Sequence, residues 1–201
     1  MSNYIISHSI CMAVAWIFCV PIGILIAKFF KSSNNPIWLK SHIFFQLAAF
    51  SLTIAGFGLA IYYIKLDGST HFAADYNHGK IGLFLTIGIF IQFLGGLLRP
   101  SNKTIQSNPP PNVPFDDLIN TNPTVTITQP TQYITKYRKI FNILHKLLGI
   151  SLLFIAYWNI YTGIDIASQD YLKNPELWKK LLISAVVIPT FFYVIVYDCF
   201  T

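Results

Sequence analysis

Cysteine is scarce in this chain of 201 residues. Cys11, Cys19 and Cys199 show neither the C-x-x-C spacing of a zinc or dithiol pair nor the C-x-x-C-H of covalent haem attachment, so they read as apolar packing residues. Charge is scarce too, at 11% of residues, and acidic charge most of all, with eight Asp and Glu against fourteen Lys and Arg. The sequence has no glycine-rich phosphate loop, no H-E-x-x-H and no nucleophile elbow, which removes the usual phosphoryl-transfer, zinc-peptidase and serine-hydrolase machinery. The N-terminus lacks a basic region and the first apolar run is too long for a signal core, so that run is expected to stay as a span.

What the chain has in abundance is clumped apolar sequence. Apolar residues are 54% of the total, gathered into runs at 5–27, 43–64, 81–98, 140–164 and 181–196. Twenty helical residues at ~1.5 Å each cross a hydrocarbon core of ~30 Å. The sequence therefore predicts an all-α membrane protein of five transmembrane helices, 1–201 forming a single domain. Pro21 is expected to kink the first span and Pro189 to bend the last. The stretch 101–135, with its Pro109-Pro110-Pro111 run and many Ser, Thr and Asn, lacks apolar periodicity and reads as a disordered cytosolic loop.

The net charge of +6 bears on orientation, and nucleic acid is not an expected partner. Lys28, Lys31 and Lys40 lie between spans one and two, and Arg99, Lys103, Lys136, Arg138 and Lys139 between spans three and four. Basic residues in the other loops are balanced by Asp and Glu. The positive-inside tendency then puts the N-terminus outside or in a lumen and the C-terminus in the cytosol. In that topology the triplet Asn102-Lys103-Thr104 is cytosolic and stays unglycosylated.

Of five histidines, four fall in the first turns of separate spans: His8, His42, His78 and His145. Because successive spans reverse direction, His8 and His78 share one depth and His42 and His145 the other. Ionisable residues in a membrane usually face the bundle interior and mark a site. Two imidazoles at each of two depths suit axial ligation of two b-type haems, with spans one to four as a di-haem core and span five peripheral. A zinc pair would want more ligands at each depth. Helix N-termini favour the neutral ring that binds iron. The alternative is a haem-free bundle, a transporter or an assembly subunit, whose histidines relay protons or pack. Gly82 follows His78 and Gly149 follows His145 at i+4, on the same helix face. Each glycine either lets another helix come close or makes room for a flat cofactor. Gln46 and Gln92 read as interhelical hydrogen-bonders.

These residues resemble the cytochrome b561 family, in the ferric-chelate reductase-like form and here without a DOMON domain. The matching pieces are His8 with Ala15-Trp16, Pro21, Gly23 and Ala27; Trp38 with His42, Gln46 and Gly56; His78-Gly79-Lys80-Ile81-Gly82 with Gln92 and Arg99-Pro100; and Arg138, Asn142, His145 and Gly149 with Asn159 and Gly163. Lys28 departs from the pattern, standing where an arginine is common. The resemblance covers nearly the whole chain outside 101–135. It implies a transmembrane oxidoreductase with His8 paired to His78 and His42 to His145. Electrons would pass from cytosolic ascorbate or a similar donor to ferric chelate or monodehydroascorbate outside. Lys40, Arg99, Arg138 and Lys146 are then the candidate ascorbate side, the alternative for each being an ordinary positive-inside anchor. His71 is the candidate acceptor-side residue, the alternative being a solvated loop histidine. Asn142 is a candidate partner for a haem propionate or a neighbouring helix. Membrane lipid surrounds the bundle, and a homodimer is an open alternative.

Overall fold

In hydrocarbon each backbone N–H and C=O must be satisfied within its own segment, and long helices meet that demand. The computed structural model describes residues 2–31, 36–68, 77–99, 103–104, 132–133, 136–170 and 172–193. Helix α1 has three stretches: α-helical Ser2–Ala13, π-helical Val14–Cys19 and α-helical Val20–Phe30. Helix α2 is Ile37–Asp67, α3 is Asn77–Leu97 and α4 is Lys136–Asp170. Four helical segments among the described residues are long and apolar enough to cross a membrane: Asn3–Phe30, Ile37–Asp67, Asn77–Leu97 and Lys136–Ser168. Helix α5 begins as Pro175–Leu182, passes through π-helical Ile183–Val187 and continues as Ile188–Phe191. The end of the predicted fifth span, from residue 194, lies outside the described residues.

Both π stretches end two residues before a proline, Pro21 or Pro189. A proline ring crowds the carbonyl four residues back and offers no N–H, so the turn before it widens. The Val20 N–H accordingly bonds to the Ala15 carbonyl and the Ile188 N–H to the Ile183 carbonyl, each five residues back. The expected kink and bend thus take the form of π turns. Helix α2 ends at Gly68, whose φ of 70° is left-handed and suits glycine at a helix C-terminus. At the ends of the long connection Lys103–Thr104 (β1) pairs antiparallel with Gln132–Tyr133 (β2). The rest of the expected disordered loop lies outside the described residues.

The first four helices form a ring. Helix α1 packs on α2, α2 on α3, α3 on α4, and the π stretch of α1 meets α4. The shared core includes Ala15, Trp16, Ala49, Leu85, Leu152, Leu153 and Ala156. Small residues matter here, because helices in lipid associate through close packing. Leu152, for example, fills the space that a side chain on Gly88 would need. The buried hydroxyls of Thr53 and Thr86 donate to carbonyls one turn back, Ala49 at 2.8 Å and Gly82 at 2.8 Å. Phe18, Phe44, Phe84, Leu94 and Leu144 face outward, as a lipid-facing surface requires.

Helix α5 lies against α4, at the edge of the ring. The Tyr157 hydroxyl meets Thr190 Oγ1 at 3.2 Å, and Phe154 packs edge-on against Phe191. Near the start of α5 the buried Lys179 pairs with Asp165 of α4 and with Glu176, and its Nζ sits 4.8 Å from the centre of the Tyr161 ring. At the far end Lys28 Nζ of α1 donates to the Tyr193 carbonyl.

Candidate functional site

The ring arrangement sets α1 diagonally across from α3 and α2 across from α4, so a histidine on each can point at its opposite number. His8 and His78 are brought close together. Their ring centres are 6.3 Å apart and their planes 79° from parallel. Two metal–imidazole bonds of about 2 Å in line, with about 1.1 Å from each nitrogen to its ring centre, give about 6 Å between centres. The gap therefore fits one metal ion between the rings.

Each ring at this depth is also oriented. His8 Nδ1–H donates to the Gly56 carbonyl of α2 at 2.8 Å, and His78 Nδ1–H donates to the Asn159 carbonyl of α4 at 3.0 Å. Thr162 supports the second contact by donating to the same Asn159 carbonyl at 2.9 Å. A proton fixed on Nδ1 leaves the Nε2 lone pair free, the tautomer a metal ligand needs. Gly163 makes the approach possible, because a Cβ there would lie 2.9 Å from His78 Cε1.

At the other depth His42 Nδ1–H donates to the Gly23 carbonyl of α1 at 2.8 Å. His145 lies within electrostatic reach of His42 and stacks on Phe141, with ring centres 5.4 Å apart. Its own carbonyl accepts a hydrogen bond from Gln92 Nε2 of α3 at 2.9 Å. Gln46 Nε2 donates to the Val20 carbonyl at 3.3 Å. Both glutamines thus bond between helices, as expected. Gln92 occupies the notch of Gly149, where a Cβ would lie 2.8 Å from its Nε2, so close helix approach is the use made of that glycine. Gly82 faces Asn159 Nδ2, 3.7 Å from where its Cβ would stand. Gln92 Oε1 and Asn159 Oδ1 are buried acceptors with no protein donor. Acceptors of this kind suit the polar edge of a bound group or an ordered water.

Beyond the His42 and His145 depth lies a group of cations. Partial burial first, and then repulsion from Arg99, Arg138 and Lys146, holds Lys31 below the ordinary lysine range. Burial and Arg138 likewise lower Arg99. Three of the four predicted donor-side cations, Arg99, Arg138 and Lys146, therefore gather around Lys31. Lys40 lies exposed two residues before His42, and Asn142 is half-buried three residues before His145. His71 lies outside the described residues. Among the described residues no cluster of three or more His, Cys, Asp and Glu side chains forms a conventional metal site.

The family profile described as eukaryotic cytochrome b561 matches residues 7–107, which carry His8, His42 and His78. Two Arabidopsis thaliana proteins named cytochrome b561 and DOMON domain-containing are 23% and 24% identical to the chain, over 90% of its length in each case. Those alignments cover 36% and 35% of the relatives, so the chain spans about a third of their length. A Drosophila melanogaster protein named as a candidate ferric-chelate reductase 1 homolog is 32% identical over 100 residues, 46% of this chain and 14% of its own. No solved structure matches the chain.

Proposed function

Because this chain belongs to the eukaryotic cytochrome b561 family, we propose that it carries single electrons across a membrane through two b-type haems. His8 and His78 hold the outer one, and His42 and His145 the cytosolic one. The observation that carries this reading is the 6.3 Å between the His8 and His78 ring centres, with both Nδ1 atoms engaged by backbone carbonyls. Haem b supplies a one-electron couple when bound.

The chain's own residues do the remaining work. The carbonyls of Gly56, Asn159 and Gly23 keep three imidazoles neutral and turned inward. The apolar core between the two depths, with Trp16, Leu85, Leu152 and Leu153, keeps water and ions out of the path. Lys31, Arg99, Arg138 and Lys146, with Lys40 nearby, draw an anionic donor such as ascorbate to the cytosolic end. Asn142 stands in the same region as a partner for a propionate. Outside, the acceptor is ferric chelate or monodehydroascorbate, with His71 as its contact. The net reaction takes one electron and one proton from ascorbate inside and converts ferric to ferrous iron outside.

The test is the full chain reconstituted in vesicles loaded with ascorbate, with ferric chelate and a ferrous-specific dye outside. Ferrous iron is expected only where the chain is present. Vesicles that hold the chain yet form ferrous iron no faster than empty ones would remove this reading.

A further inference from the structure

Three of the four histidine-bearing helices carry, fourteen residues beyond their own histidine, the group on which a neighbour's histidine leans. His42 is followed by Gly56, whose carbonyl accepts from His8. His78 is followed by Gln92, whose Nε2 donates to the His145 carbonyl. His145 is followed by Asn159, whose carbonyl accepts from His78. Fourteen α-helical residues rise ~21 Å and fall about 40° short of four full turns. Histidine and support thus lie close to one face, at opposite ends of a span.

Helix α1 breaks the count. Gly23, whose carbonyl accepts from His42, comes fifteen residues after His8. In an unbroken α-helix the extra residue would turn Gly23 by about 100°, from about 40° on one side of the His8 direction to about 60° on the other. The π stretch Val14–Cys19 lies between the two, and a turn closed five residues back takes up one residue more than an α turn.

We propose that the π turn of α1 is a register device that absorbs this fifteenth residue. It brings Gly23 under His42, so that Gly23, Gly56, Gln92 and Asn159 act as one set of positioning residues, one per helix. The proposal rests on the haem reading only for its spectroscopic readouts.

The test uses the full chain in detergent. Deleting Phe18, an exposed residue of the π stretch, together with Pro21→Leu, restores a fourteen-residue count in a regular helix. This variant is expected to keep both haems, with both low-spin electron paramagnetic resonance signals in place. Deleting Ser51, which is exposed in α2 between His42 and Gly56, leaves thirteen with no π turn to absorb the change. At least one haem should be lost. The proposal fails if the α1 variant loses a haem or does not accumulate, or if the Ser51 deletion keeps both.

Gln92→Leu provides a second measurement, in a variant of nearly unchanged volume. It should shift the resonance signal and midpoint potential of the His42–His145 haem alone, and Gln92→Glu, protonated and again a donor, should restore them. No shift, or an equal shift at both depths, overturns the role given to Gln92. Should the chain bind no haem at all, thermal melting still scores the register. The Ser51 deletion then melts well below the wild type and the α1 variant does not, and equal melting of the two overturns the proposal independently of the haem reading.

Discussion

Gly163 of α4 lies so close to His78 of α3 that a methyl group in place of its hydrogen would stand 2.9 Å from the imidazole Cε1. The glycine is therefore part of the site, although it offers no functional group. Gly163→Ala should force the His78 ring off its line to His8, with an overpacking cost of about 1–3 kcal/mol. The expected outcome is a folded chain that has lost haem from the outer depth and kept it at the cytosolic depth. Haem content and redox difference spectra check this, and a full complement at both depths would count against it.

The cations beyond His42 and His145 make a second prediction, for the donor side. Lys31→Gln should weaken an anionic donor several-fold, through apparent affinity rather than maximal rate. The effect should shrink as salt screens the cluster. Its pH dependence follows from the lowered Lys31 value, whose main cause is burial. A lysine held below its ordinary range loses its charge at a lower pH than usual, so donor affinity falls as pH rises through that lowered value. An anion in place favours the charged form, so binding on the alkaline side should take up protons. Donor titrations across pH and ionic strength, with wild type and variant, measure all of this.

Helix α5 gives a third, concerning stability. Hydrogen bonding to Asp165 is the main cause that raises Lys179 above the ordinary lysine range. A raised lysine contributes stability that is full below the unfolded-state value and lost as pH rises through the folded-state value. The wild type should hold α5 on α4 until strongly alkaline pH and release it above. Lys179→Met should show release at all pH values, without that alkaline step. Protease cleavage in the 171–174 connection, followed against pH, reads the difference.

A fourth prediction concerns the outer acceptor carbonyl. Thr162→Val removes one of the two side-chain hydrogen bonds to the Asn159 carbonyl, together with the 3.4 Å contact of Thr162 Oγ1 with His78 Nδ1, and leaves the whole of the Nδ1–H donation to that carbonyl. The imidazole should then donate more strongly, become a more basic ligand and lower the midpoint potential of the outer haem. A redox titration is expected to show that wave moved down and the other unmoved.

Four membrane-crossing helices and the approach of His8 to His78 were legible because they depend on residue type and on chain reversal alone. A run without charge has to cross the membrane somewhere, and alternate spans must start on the same side, which set His8 with His78 and His42 with His145. The groups that orient the rings were not legible in the same way. Gly56, Gly23 and Asn159 act on the histidines through backbone carbonyls, and a carbonyl is common to every residue. Lys31 went unmarked because its significance comes from three cations that arrive from distant parts of the chain. Pro21 and Pro189 announced a distortion, but the widened turn that answers each depends on what the neighbouring helices require. Beside His145 the sequence left open a cofactor or a helix against Gly149, and the Gln92 amide fills that notch.

On the proposed function, paired imidazoles at two depths each hold one haem. The most direct measurement of this is the haem-to-protein ratio, by pyridine haemochrome, of the full chain from haem-replete cells, beside His78→Ala and His42→Ala. Two haems b are expected in the wild type and one in each variant, with different resonance signals surviving in the two. A wild type without haem, or variants that lose both haems or neither, would contradict the proposed function.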